Sequence, residues 1–219
     1  MEFAMKNIVE VARFSLTLLL TLCIVGCTTV YKPIYTPTDI FYEDLHETPI
    51  KLRVHDDRKE NKKVFYENYP LAYSENTNGF KLEPSSREII EQSLLRAMGT
   101  SGYLLSEDAP IVMDVSVKEF IWRFNHYAIA YGQSFTADIK LEIVVKKNDK
   151  IFIKKTIAET VKRESAISNM GKEKDENMLS ECLTKTIEKL ISDYNIITAI
   201  KRGYKDITIE KEIKNDQEM

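Results

Sequence analysis

The sequence predicts an α+β fold: a two-layer sandwich whose mixed, mostly antiparallel sheet of about four strands carries two helices packed on one face. Three observations lead there. Apolar and polar residues alternate over 111–117 and 135–145, the pattern of strands with one buried face. Ser85-Ser86-Arg87-Glu88 is a capping box that opens an apolar helical face. Leu179, Cys182, Leu183, Thr186, Ile187, Leu190, Ile191 and Tyr194 recur at helical spacing.

In chain order, Ile50 to Val54 is a short alternating strand that ends in His55-Asp56-Asp57-Arg58. A polar stretch follows, with a short strand expected at 80–82. The capped helix presents Ile89, Ile90, Leu94, Ala97 and Met98 on one side and stops at Gly99 and Gly102. Met113, Val115 and Val117 share a face, yet the next apolar set is Phe120, Trp122 and Phe124. One extra residue near Lys118–Glu119 keeps both sets inward, so a β-bulge is expected there. Phe135, Ala137, Ile139, Leu141, Ile143 and Val145 form the clearest strand. Lys147-Asn148-Asp149-Lys150 reads as a tight hairpin turn with Asn and Asp at positive φ. The returning strand, Ile151 to about Val161, is poorly phased. A charged loop over 162–174 leads to one long helix from about Asp175 to Ala199. The order β-α-β-β-β-α pairs the first two strands in parallel through the helical crossover and leaves one sheet face open to water.

Four regions divide the chain. Residues 1–26 read as a signal peptide: Lys6 and Arg13 precede an uncharged, mostly apolar run from Phe14 to Val25. Twelve helical residues span about 18 Å, short of the roughly 30 Å hydrocarbon core of a bilayer. Ile24-Val25-Gly26-Cys27 resembles a lipobox, in which the thiol accepts diacylglycerol by a thioether and Gly26 admits the signal peptidase. Cys27 is therefore expected to be the lipidated first residue, S-diacylglycerylated and N-acylated, for example by palmitate. Thr28 follows it where inner-membrane lipoproteins commonly carry Asp, which implies the outer membrane, periplasmic face; with a single membrane it implies the outer face of the plasma membrane. Residues 27–48, with Pro33 and Pro37, read as an extended tether of about 65 Å reach, and Tyr31, Tyr35, Phe41 and Tyr42 argue that part of it docks. Residues 49–200 form the domain and 201–219 a charged C-terminal tail.

The 219 residues are 43% hydrophobic and 30% charged with a net charge of −3, an ordinary globular composition. Lys6 and Arg13 balance Glu2 and Glu10, and the remaining charges are mixed along the chain. A clustered basic excess is absent from the linear sequence, so no nucleic-acid partner is expected. Of three cysteines, Cys23 leaves with the signal and Cys27 is lipidated, so Cys182 has no internal disulfide partner. Its place in the helical stripe reads as a buried small hydrophobe.

Four pieces occur in order behind the lipobox: Leu52-Arg-Val-His-Asp-Asp-Arg58, Gln92-Ser-Leu-Leu-Arg-Ala-Met-Gly-Thr-Ser-Gly-Tyr103, Val112-Met-Asp-Val-Ser-Val-Lys-Glu-Phe120 and Ala137-Asp-Ile-Lys-Leu-Glu-Ile-Val-Val145. Over roughly residues 50–200 the chain resembles the YajG-like uncharacterised lipoproteins. Its layout is also similar to the lipoprotein auxiliary subunits of envelope ABC transporters. The resemblance implies no reaction and no catalytic residues, and the insert 59–80 and the tail depart from a minimal version.

Candidate sites are few. His55, Asp56, Asp57 and Arg58 are the densest polar cluster, read either as an acid/base or metal site or as a salt-bridged turn; only adjacent residues are offered where a metal needs three or four convergent ligands. His46 and His126 are isolated, and neither a nucleophile elbow nor a phosphate loop occurs. No cofactor, metal or catalytic set is expected. Phe120, Trp122, Phe124 and Tyr127, with Tyr131, read as core or as an apolar patch for a partner or lipid. The leading expectation is a non-enzymatic, membrane-anchored envelope lipoprotein that binds a protein partner as an accessory of an assembly or transport system. The alternatives are an envelope hydrolase acting near His55-Asp56-Asp57 and a carrier with a closed apolar cavity between sheet and helices.

Overall fold

The longest strands organise the molecule. A computed structural model describes residues 29–37, 42, 45, 48–58, 80–127, 132–166 and 172–217. Its strands are β1 (Thr29–Tyr31), β2 (Pro49–Asp56), β3 (Phe80–Leu82), β4 (Leu104–Leu105), β5 (Ile111–Tyr127), β6 (Gly132–Lys147) and β7 (Lys150–Ala166). Its helices are α1 (Ser86–Thr100), α2 (Lys172–Ile191) and α3 (Tyr194–Gln217). Five strands form the main sheet in the order β4-β2-β5-β6-β7, and β1 pairs with β3 in a separate parallel ribbon. The α+β sandwich expected from the sequence is present, with one short edge strand more than the four foreseen.

β2 and β5 pair in parallel and β5-β6-β7 form an antiparallel meander, as expected. The register of β5 against β6 shifts between Val117 and Glu119, which places the bulge where the pattern required it. Ile111, Met113, Val115, Val117, Phe120 and Trp122 thus all face the helices at 2% exposure or less. A second shift between Val145 and Lys146 leaves Phe152 as the extra residue of β7, one reason that strand looked poorly phased. In the hairpin turn Asn148 has φ 52°, whereas Asp149 does not share the positive φ expected of it.

α1 begins with the capping box: Ser85 Oγ accepts from Glu88 N, and Glu88 Oε2 accepts from Ser85 N at 2.9 Å. It ends in a Schellman-type turn, where Gly102 at φ 86° lets Tyr103 N donate to Met98 O at 3.0 Å. Tyr103 is buried and its hydroxyl donates to Ile191 O at 2.8 Å, tying the end of α1 to the end of α2.

The single helix expected over 175–199 is two. Asp193 caps α3, its Oδ1 accepting from Asn195 N and Ile196 N at 3.0 and 3.2 Å. The residues read as a charged tail are largely helical, since α3 continues to Gln217. Gly203 holds α3 close to the sheet: a Cβ there would lie 3.2 Å from Ile111 Cδ1 and 3.3 Å from Phe152.

The tether is docked along 29–37. Lys32, Ile34 and Thr36 donate their backbone N–H to Glu176 Oε1 (3.1 Å), Ser180 Oγ (2.9 Å) and Thr184 Oγ1 (3.3 Å), one turn of α2 apart. Tyr31 and Tyr35, on the other side of this extended segment, are buried. Tyr31 meets Trp122 with ring centroids 6.4 Å apart, so β1 and β3 cover the stretch of β5 that projects beyond the end of β2.

Candidate functional site

The His55–Arg58 cluster is a salt-bridged turn. Asp56 accepts from Arg58 Nε and Nη2, both at 2.8 Å, and the Arg58 side chain is buried. Asp57 accepts from Lys118 Nζ at 2.9 Å, and that hydrogen bond holds its carboxyl below the usual range. A general acid at neutral pH needs the opposite shift. His55 stands 3.9 Å from Asp114. Among the described residues no group of three or more His, Cys, Asp or Glu is placed to hold a metal ion.

Cys182 is fully buried, 3.4 Å from the carbonyls of Ala137 and Glu159, and burial pushes its thiol up to about 12. It stays protonated and unreactive. Phe120 and Trp122 are 1% and 2% exposed, with Trp122 against Tyr31 and Phe135, so these two belong to the core and not to an exposed patch. The side chains of Phe124, His126 and Tyr127, like Cys27, His46 and Tyr131, lie outside the described residues.

Sheet and helices meet in a layer of side chains at or near zero exposure, and the grooves lie at its rim. One of about 360 Å³ runs between residues 32–35 and α1, beside Pro33, Tyr35, Ile89 and Arg96. Another of about 190 Å³ lies beside Leu52, Leu95, Leu105 and Glu107.

No described helix packs on the opposite face of the sheet, although Ile121 and Ser134 on that face are buried. The pairing register places Lys51 and Arg53 of β2, Lys118 and Arg123 of β5, Lys140 and Lys146 of β6, and Lys154 and Lys162 of β7 on it. Against these eight cations stand five carboxylates on the same strands, Asp114, Glu119, Asp138, Glu142 and Glu164. Lys118 and Lys154 both reach Glu142, at 3.5 and 3.2 Å, Lys146 pairs with Asp114, and Arg123 with Asp138. Arg53 and Lys140 have no carboxylate within ion-pair distance among the described residues. Lys51 also pairs with Glu107, Lys118 with Asp57 and Lys162 with Glu164, so the basic excess of this face is small and centres on Arg53 and Lys140. The outward charges of β5 and β6 balance, so the excess comes from Lys51 and Arg53 of β2 and from β7, whose phase the sequence left uncertain.

No curated protein matches the chain. Among solved structures, protein XCC0632 from Xanthomonas campestris is similar at 14% identity, with 81% of this chain and 99% of that one covered and a TM-score of 0.57, which shows the fold alone. A minor lipoprotein from Acinetobacter baumannii is similar at 10% identity, covering 71% and 94% with a TM-score of 0.42, too distant to carry an argument. Among the described residues no helix is long and apolar enough to cross a membrane. The family model of an uncharacterized lipoprotein matches residues 38–201, and with the two-layer sandwich and the YajG-like segments this chain belongs to that lipoprotein family.

Proposed function

We propose that the protein is a membrane-anchored envelope lipoprotein, acylated at Cys27 and held on the periplasmic face of the outer membrane. It acts without catalysis, docking an acidic partner protein on its basic sheet face as an accessory subunit of an envelope assembly or transport system. The sheet face on which no described helix packs, with eight cations against five carboxylates on its strands, carries this reading. Electrostatic complementarity of that kind steers association and selects partners. The neutralised carboxylates at 56–57 and the protonated Cys182 support a role without acid/base or nucleophilic chemistry.

The test is crosslinking in intact cells followed by purification of the lipidated protein. Wild type should capture one reproducible partner, in a salt-sensitive manner. Charge reversal by Lys140→Glu with Lys154→Glu should lose it while melting is unchanged. Equal capture by the reversed protein would sink the assignment of the face. Loss of the deletion phenotype's rescue by Asp57→Ala, with folding intact, would favour the hydrolase reading.

A further inference from the structure

We infer that the end of the molecule where the β5–β6 hairpin closes lies against the bilayer, held there by a leash only two residues long. This rests on acylation of Cys27, and its occupant is the lipid surface itself. The chain between an acylated Cys27 and the first docked residue, Thr29, spans at most about 7 Å. From Thr29 to Thr36 the backbone is fixed, by pairing of β1 with β3 and by the three N–H bonds to α2. A tether reaching tens of ångströms is therefore excluded for as long as the segment is docked.

The direction of entry follows from the same contacts. Residues 32–36 run with α2, from Glu176 toward Thr184. α2 runs away from the closing end of the hairpin: Glu181 pairs with Arg163, and Asp193, beyond its last residue, pairs with Lys155, ever further from the Gly132–Ala166 pair. Thr29 thus lies toward the end where Tyr127 pairs with Gly132, β7 finishes and α2 begins. The sequence between Tyr127 and Gly132 contains no charged residue. The Asn148 turn stands at the other end of β6, about 50 Å away at 3.3 Å per residue.

The chain contains a single tryptophan, Trp122, and its ring lies 6.4 Å from that of Tyr31, four residues from Cys27. The experiment reconstitutes the processed, lipidated protein into phosphatidylethanolamine–phosphatidylglycerol vesicles carrying a headgroup-attached energy acceptor. Trp122 should lose most of its emission to the acceptor, and a dye on Asn148→Cys should be unaffected by a headgroup quencher. Fifteen Gly/Ser residues inserted between Thr28 and Thr29 add a coil of about 20 Å and should restore the Trp122 emission. Equal transfer with and without the insert, in protein whose mass confirms acylation, overturns the short leash. Strong quenching at position 148 overturns the assigned end. An unacylated Cys27 overturns the anchoring reading on which both depend, and the mass alone reveals it.

Discussion

β6 and β7 lie side by side with nearly equal lengths, yet they handle their helix-facing positions differently. On β6 these are Phe135, Ala137, Ile139, Leu141, Ile143 and Val145, all buried. On β7, reading back from the same pairs, they are Arg163, Val161, Glu159, Ile157, Lys155 and Ile153. Every second one is charged, and each charge meets a partner on the helical layer: Arg163 with Glu181, Glu159 with Lys189, Lys155 with Asp193. An inner strand is specified by burial alone. An edge strand must also discourage a further strand from joining, and inward-pointing charges do so. The pairs fasten the sheet's margin to the helices while keeping that margin unattractive to another chain.

The contrast can be broken first at its apolar side. Leu141→Ala on β6 should cost about 2–5 kcal/mol in denaturant unfolding, because a filled position at zero exposure becomes a cavity. Asp193→Ala removes both the α3 cap and the partner of Lys155, and about 1–2 kcal/mol should be lost. A loss no larger than that of Lys155→Ala would show that the cap contributes nothing. Single replacements Lys155→Ala, Glu159→Ala and Arg163→Ala should each cost about 1 kcal/mol or less. Replacing all three by Leu should leave the melting temperature level or higher while sedimentation reports self-association; a stable monomer would refute the edge-guarding role. The smallest effect is on pH. Hydrogen bonds from Lys185 and Arg163 hold the Glu181 carboxyl below its usual range, so the native state binds fewer protons there than the unfolded chain. Its contribution is present at neutral pH and fades as pH falls through about 4 and below. Arg163→Ala should flatten that part of the stability profile by about a few tenths of a kcal/mol.

The same contrast explains what the sequence disclosed. β6 was legible because both neighbours and the helices enforce a strict period of two, and the bulge in β5 was legible because Val117 and Phe120 cannot otherwise share a face. β7 was obscure because Lys155, Glu159 and Arg163 look like outward residues, and Phe152 shifts the phase. The break at Asp193 is a capping signal hidden inside a continuous apolar stripe, and the β1–β3 pairing joins three-residue strands about fifty positions apart. The turn at Asp56–Arg58 was legible as one of two readings, which only the bidentate geometry separates.

The N-terminal staples join residues 144 to 148 positions apart. In synthesis the amino end emerges first, yet the helix that receives it is among the last parts to arrive. Closure of so long a loop is slow and waits for the whole chain. The domain therefore stays ajar at its root until α2 has formed and received the amino end.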